Sequence, residues 1–388
     1  MINIKNKKDC CGCNACVQVC PTHCISTATD EEDFSYPVVD NTVCINCNLC
    51  EDVCPVINQN DSRTPLVCYA AKNPNEDIRM KSSSGGVFSM LAERVISNNG
   101  VVFGACFNEK WDVIHSYTES IEGITKFRGS KYVQSNIGNC YIKAKEFLNN
   151  GREVLFSGTP CQIAGLKRYL RKDYENLLTI DIICHGVPSP MVWQKYLSEI
   201  NPEALHMHEI SFRDKSAGWK TFSFHAKAIQ GGNIVTLTKG RLFEDTYLKV
   251  FLKNICLRPS CHQCPTRSGK GNSDITIADF WGIDVVDSEY DDDKGVSLIL
   301  PYSTKGLEIV NSLNLDKRAK SIIVDPKRNP NLHLDCKIPK YRTYFFKKIG
   351  KNNETLEQIL HAVHKKESPS QLRIFAWRVK EKLKSIVK

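Results

Sequence analysis

Cys10, Cys13, Cys16 and Cys20 follow the spacing C-x2-C-x2-C-x3-C, and Pro21 comes directly after. The arrangement returns 34 positions later as Cys44, Cys47, Cys50 and Cys54, followed by Pro55. Three thiolates this close can wrap three corners of an iron–sulfur cubane. The proline turns the chain away at the fourth cysteine, which in two-cluster proteins of this kind ligates the other cluster. One 4Fe-4S cluster is therefore expected on Cys10, Cys13, Cys16 and Cys54, and a second on Cys44, Cys47, Cys50 and Cys20. Structural zinc favours two separated C-x2-C knuckles and gives no reason for the tight third cysteine or the proline. Cys11 and Cys24 fall outside the pattern and are not expected ligands; Cys24 reads as a small buried packing residue.

Later in the chain, Cys261 and Cys264 form a further C-x2-C pair, with Cys256 five positions before. A pair alone is shared by zinc knuckles and redox dithiols. Two more cysteines, Cys161 in Ser157-Gly158-Thr159-Pro160-Cys161-Gln162 and Cys184 in Ile182-Ile183-Cys184-His185-Gly186, follow apolar runs that read as strands. Strand ends gather at one crevice in an α/β sheet. Cys161, Cys184, Cys261 and Cys264 are thus preferred as ligands of a third 4Fe-4S cluster, with Cys256 in reserve; zinc or no metal are the alternatives. Cys68, Cys106, Cys140 and Cys336 are solitary and read as buried small residues.

The elements that must position these thiols are legible in outline. Polar, breaker-rich residues 58–65 read as a linker. Val87, Met90, Leu91 and Val95 recur at helical spacing, and Asn98-Asn99-Gly100 ends that helix. Val101 to Ala105 and Val154 to Phe156 read as strands, as do Leu177 to Ile183 and Ile275 to Ile277. Tyr141 to Leu148 and Gln162 to Leu170 read as helices. Such alternation predicts parallel βα units. From Glu209 to Thr238 the pattern changes to a hairpin around Gly231-Gly232.

Across 388 residues there are 19 cysteines, an odd number that argues against a disulfide scaffold. The N-terminus lacks the apolar core of a secretory signal, and no run of about 18 apolar residues suits a membrane span. A reducing cytoplasm is expected. The net charge is +9, but residues 371–388 alone supply +5. Basicity concentrated in a tail is not a nucleic-acid surface; an acidic redox partner or a membrane surface remain open.

Ser82-Ser83-Ser84-Gly85-Gly86, Phe127-Arg128-Gly129-Ser130-Lys131-Tyr132, Gly158-Thr159-Pro160-Cys161-Gln162, Cys184-His185-Gly186, Cys261-x2-Cys264 and Asp274 to Gly282 occur in one order. In that order they resemble the coenzyme F420 hydrogenase/dehydrogenase beta-subunit family over roughly residues 66–325. The resemblance implies FAD in an α/β domain beside a cluster held by Cys161, Cys184, Cys261 and Cys264. In archaeal members the flavin exchanges hydride with a deazaflavin; others take single electrons from ferredoxin and reduce an organic substrate. The fused cysteine block favours the ferredoxin-like supply.

The residues themselves are compatible with a flavin. Ser84, Gly85 and Gly86 precede a helix and would bring N–H groups against a diphosphate, although a plain N-cap reads the same way. Gly129, Ser130, Lys131 and Tyr132 offer a loop, a cation and a ring. Lys294 and Gly295 are placed to close over a cofactor, and Asp279 and Trp281 lie in the family-like segment, Trp281 leaning towards the core. His185, beside a proposed ligand, is the candidate proton donor. Gly-x-Gly-x-x-Gly is missing, so NAD(P) is not expected. Leu372, Phe375, Val379, Leu383 and Ile386 share one helical face of the basic tail, which would dock on its own protein or on a surface.

The expected architecture is an α+β ferredoxin-like module over 1–60, then an α/β flavin-binding domain with a β-hairpin insertion over 66–345, then a basic helical tail over 346–388. The expected function is an iron–sulfur flavoprotein oxidoreductase with a ferredoxin-like donor and an unnamed small-molecule substrate. The rivals are a non-catalytic electron-transfer subunit and a deazaflavin dehydrogenase.

Overall fold

The computed structural model describes residues 1–320, 328–351 and 354–367. At the N-terminus a short helix Ala15–Val19, an antiparallel pair β1 (Ile25–Thr29) and β2 (Ser35–Val39), and a second short helix Leu49–Asp52 carry the duplicated cysteines. Asn14 and Asn48 occupy the same position in the two halves, each in the left-handed region (φ 59 and 60) just before its helix. Asparagine tolerates that conformation better than most residues, so the duplication extends to the backbone.

An eight-stranded mixed sheet forms the body. Its strands are β3 (Cys68–Lys72), β4 (Val101–Phe107), β5 (Val113–Thr118), β6 (Val154–Gly158), β7 (Leu177–Ile182), β11 (Ile275–Asp279), β12 (Ser297–Pro301) and β13 (Asp316–Lys320). The spatial order is β13-β3-β12-β11-β7-β6-β4-β5. Only β4, β6, β7 and β11 run parallel, and both flanks are antiparallel. The expectation of parallel βα units therefore holds for the centre alone. Of these central strands, β4 and β7 are almost wholly buried, as near-continuous apolar runs require, while β6 and β11 are buried at their first residues and more open towards their ends. Between β7 and β11 the chain makes a separate three-stranded antiparallel sheet of β8 (His206–Asp214), β9 (Ser223–Gln230) and β10 (Asn233–Arg241), with Gly231 and Gly232 at its tight turn.

The helix Pro160–Leu170 begins with a complete capping box, Thr159 with Gln162, and a proline in its first turn. This start fixes Cys161 directly beyond the end of β6. Gly165 on the same helix faces the N-terminal module, where Cys11, Cys13, Ala15 and Val53 share one apolar core with Phe103, Tyr141, Phe156 and Leu166. The stretch read as a linker is tied down: Arg63 donates to the carbonyls of Gly269 and Ser273, and Asn60 donates to that of Lys270.

Helices Arg342–Ile349 and Leu356–Glu367 bury Phe345, Ile349, Leu356, Ile359, Leu360 and Val363 in the core that holds Trp193, Phe212 and Tyr247. The amphipathic face of residues 372–386 lies outside the described residues. Among the described residues no helix is long and apolar enough to cross a membrane.

Candidate redox centre and cofactor cavity

Folding brings Cys54 to the first N-terminal group. Burial pushes the Cys16 thiol up to about 12, helped by the neighbouring Cys10, Cys54 and Cys50. Cys54 is raised by burial and by Cys10. Cys20 instead lines a small cavity with Cys44, Cys47 and Cys50. Cys24 lines it too, its Sγ 3.3 Å from that of Cys20; it is more than remote packing. Against burial, hydrogen bonds from Thr22 and Cys24 hold Cys20 down at about 7.

The later cysteines also meet. Burial drives the Cys184 thiol well up, reinforced by Cys261, Cys161 and Cys264. Burial raises Cys261 to about 12, with Cys264 and Cys161 adding to it. Cys256 is fully buried in the aromatic core instead. Four desolvated thiols that repel one another's charge suit a cationic group that draws them into the thiolate form. Among the described residues no three His, Cys, Asp or Glu side chains converge as the ligands of one ion would. A cluster assignment thus rests on the grouping and the donor chemistry.

Cys11, left outside the pattern by spacing, is buried in one apolar cluster with Cys13 and Cys161, and Cys13 together with burial drives its thiol well up. No local signal marks it, because the contact exists only once the module is docked.

Cys184 and His185 line a cavity of about 560 Å³ that extends to Ser83, Ser84, Gly86, Gly129, Ser130, Lys131 and Tyr132. This volume lies within the range of cofactor sites. Gly86 sits in the left-handed region (φ 83) and starts the helix Val87–Ser97. Ser83 Oγ lies 2.9 Å from Ser130 Oγ and accepts from the Ser130 N–H at 2.7 Å, joining the two loops. Lys131 donates to the carbonyls of Arg128 and Gly129, and burial lowers its ammonium to about 8. Tyr132 stacks on Phe251 at 4.6 Å between ring centroids.

Asp279 lines the cavity with its carboxylate already engaged, bidentate to Arg213 at 2.8 and 2.9 Å and accepting from Trp219 Nε1 at 2.8 Å. Trp281 also lines it, stacked on Trp219 at 4.7 Å. Gly85 stands behind the wall, its N–H donated to Ser297 Oγ. Lys294 and Gly295 are not part of the lining. The Lys294 ammonium pairs with Glu76, and the carbonyls of both residues are taken by Lys215 and Arg79. Both ring nitrogens of His185 have partners: Nε2 donates to Asn254 Oδ1 at 2.6 Å, and Nδ1 accepts from Asn331 Nδ2 at 3.1 Å. Burial lowers its pKa, which favours the neutral ring.

Sequence reasoning missed Arg213, Lys215, Asn329 and His115. Lys215 is buried and ties the carbonyls of Arg79, Ser84 and Lys294 together at 2.7, 2.9 and 2.6 Å, burial lowering it to about 7. His115 is held by Ser135 and by the Ser157 carbonyl, and burial takes it down to about 4. Arg213 Nε and Asn329 Nδ2, on two residues of the cavity wall, are buried donors with no partner among the described residues.

A duplicated cluster-type cysteine module docked on a mixed α/β body defines an iron–sulfur electron-transfer protein of oxidoreductase type. Residues 9–58 match the 4Fe-4S dicluster domain. Residues 68–140 match the N-terminal part, and residues 151–326 the C-terminal part, of the coenzyme F420 hydrogenase/dehydrogenase beta subunit. The chain belongs to the coenzyme F420 hydrogenase/dehydrogenase beta-subunit family. No curated protein matches it. Among solved structures, one titled as a xenon derivatization of the F420-reducing NiFe hydrogenase complex from Methanosarcina barkeri aligns at 17% identity. It covers 78% of this chain and 93% of that one, with a TM-score of 0.45.

Proposed function

We propose that this chain is an iron–sulfur flavoprotein oxidoreductase. Single electrons from a ferredoxin-like donor enter at the Cys44, Cys47, Cys50 and Cys20 cluster and pass to the Cys10, Cys13, Cys16 and Cys54 cluster. From there they cross to a third 4Fe-4S cluster on Cys161, Cys184, Cys261 and Cys264, beside FAD in the cavity. Cys47 is exposed, and Val43 and Ile45 beside it are 50% and 62% exposed, which suits docking of a donor there. Cys11 and Cys13 of the inner group share an apolar cluster with Cys161 of the third.

The observation that carries this reading is the shared wall: Cys184 and His185 line the same cavity as Ser83, Lys131 and Arg213. A flavin bound there would convert one-electron supply into two-electron chemistry on a substrate. Ser84, Ser130 and Lys131 would hold its diphosphate. Tyr132 and Trp281 would flank its rings. His185 follows Cys184 directly in the chain and lines the cavity with it, but its Nε2 proton is committed to Asn254, so proton delivery requires that contact to open.

Anaerobically purified protein is expected to hold about twelve iron, about twelve acid-labile sulfide and about one FAD per chain. A chain with about eight iron would lack the third cluster, and one that never binds flavin would be a non-catalytic electron-transfer subunit. The family description favours one second reading, a deazaflavin dehydrogenase. Bleaching of the bound flavin by reduced coenzyme F420 would support it.

A further inference from the structure

Arg258 is 0% exposed and lies in the seam between the N-terminal module and the body. Its Nε donates to the Cys10 carbonyl at 2.8 Å, Nη1 to Gln134 Oε1 at 3.0 Å, and Nη2 to the Ser35 carbonyl at 2.9 Å. The guanidinium lies 4.4 Å from the Tyr36 ring centroid and 5.4 Å from that of Phe34. Gly12, in the left-handed region at φ 72, clears the space: a Cβ there would sit 2.9 Å from Nη1.

None of these partners is a carboxylate. Arg267, which faces the third cysteine group, pairs with Asp335 at 2.9 Å. A buried guanidinium without an anion is strongly disfavoured, so the anion must come from elsewhere in the seam. What stands there is sulfur. Cys10 Sγ is 3.5 Å from Nη2, and Cys11 and Cys261 add to the electrostatic surroundings of Arg258.

We propose that Arg258 is the counter-charge of the cluster held by Cys10, Cys13, Cys16 and Cys54, raising its reduction potential so that it draws the electron from the outer cluster. This rests on the cluster assignment given under Proposed function. The step is a bare electron transfer: the one-electron donor is oxidised, the inner cluster is reduced, and passage to the third cluster restores it. Arg258 keeps its proton throughout. A fixed cation favours the more negative, reduced form of its neighbour, and its position in the seam gives the inner cluster a charge environment that the outer one does not share.

The test is a redox titration of the full-length, cluster-loaded protein followed by electron paramagnetic resonance. Arg258→Gln is expected to shift the reduction equilibrium of the inner cluster at least tenfold towards the oxidised form, about 59 mV for a one-electron couple. Arg258→Lys is expected to restore more than half of that shift, and the outer cluster is expected to keep its potential in both variants. If Arg258→Gln fails to load while Arg258→Lys loads with a near-native potential, the charge is again what matters. An unmoved potential in loaded Arg258→Gln overturns the proposal, as do equal shifts in both variants or loss of the cluster in both. Iron content of the unmutated protein reads the cluster assignment separately. Fewer than about eight iron per chain defeats that assignment, whereas a full complement with unmoved potentials defeats only the role of Arg258.

Discussion

Lys131 is the residue where the charge of the cavity becomes measurable. Its ammonium donates to two carbonyls and lies 5.9 Å from the Phe107 ring centroid, and burial holds it at about 8. An anionic diphosphate interacts favourably with the protonated form alone, so binding favours the proton on Lys131 and weakens as pH rises through about 8. A charge-assisted contact of this kind is worth about 1.5–3 kcal/mol. FAD retention, followed by fluorescence of released cofactor, is expected to be firm at neutral pH and to fall above that point. In Lys131→Met retention is expected to be weaker at neutral pH and to lose the inflection. An unchanged inflection in the variant would move the titration to another group, Lys215 being the nearest alternative, at about 7. The same scale shows why part of the site escaped the sequence. Lys131 was visible because Gly129, Ser130 and Tyr132 surround it in the chain. Arg213 on β8 and Lys215 just beyond its end stand two apart within Ser211-Phe212-Arg213-Asp214-Lys215, a pattern typical of any solvated strand. Their burial depends on Asp279, Ser83 and Lys294, which arrive from distant segments.

Among the elements, the helix Pro160–Leu170 has the most to position. Its capped start fixes Cys161, and its Gly165 lets the module approach. A Cβ at Gly165 would lie 2.9 Å from Cys13 Cβ, 3.0 Å from its Sγ and 3.0 Å from Tyr141 Oη. Gly165→Ala is expected to cost about 1–3 kcal/mol, as overpacking does, read as a lower thermal midpoint together with slower electron passage out of the N-terminal clusters. Gly350→Ala, whose Cβ would meet nothing closer than 3.7 Å, is the comparison expected to be near neutral. Capping residues and apolar periodicity made this helix and the central strands legible. The antiparallel flanks were not. β13, Asp316-Lys317-Arg318-Ala319-Lys320, is an edge strand with no apolar alternation, and it exists because β3 offers a free ladder. Lys294-Gly295 looked like a lid for a related reason: its charge and glycine suggest motion, while the fold spends them on Glu76, Arg79 and Lys215.

For the whole molecule, the duplicated cysteines announce their chemistry from spacing alone, but their placement comes from docking. The module shares its core with the body through Cys11, Cys13, Ala15 and Val53, and Arg342 reaches back to hold Glu32. Deleting the module would expose that core, so a single-cysteine variant is the cleaner probe of the electron route. Cys264 serves best, since it belongs to the third group without lining the cavity. The decisive measurement is rapid mixing of cluster-loaded, flavin-loaded protein with chemically reduced ferredoxin, comparing the unmutated chain with Cys264→Ala. If the third cluster is the relay, the N-terminal clusters will be reduced at the same rate in both proteins. The cavity flavin will then follow promptly only in the unmutated one. Equally fast flavin reduction in Cys264→Ala, with the third cluster shown to be missing, would contradict the route from cysteine module to cavity.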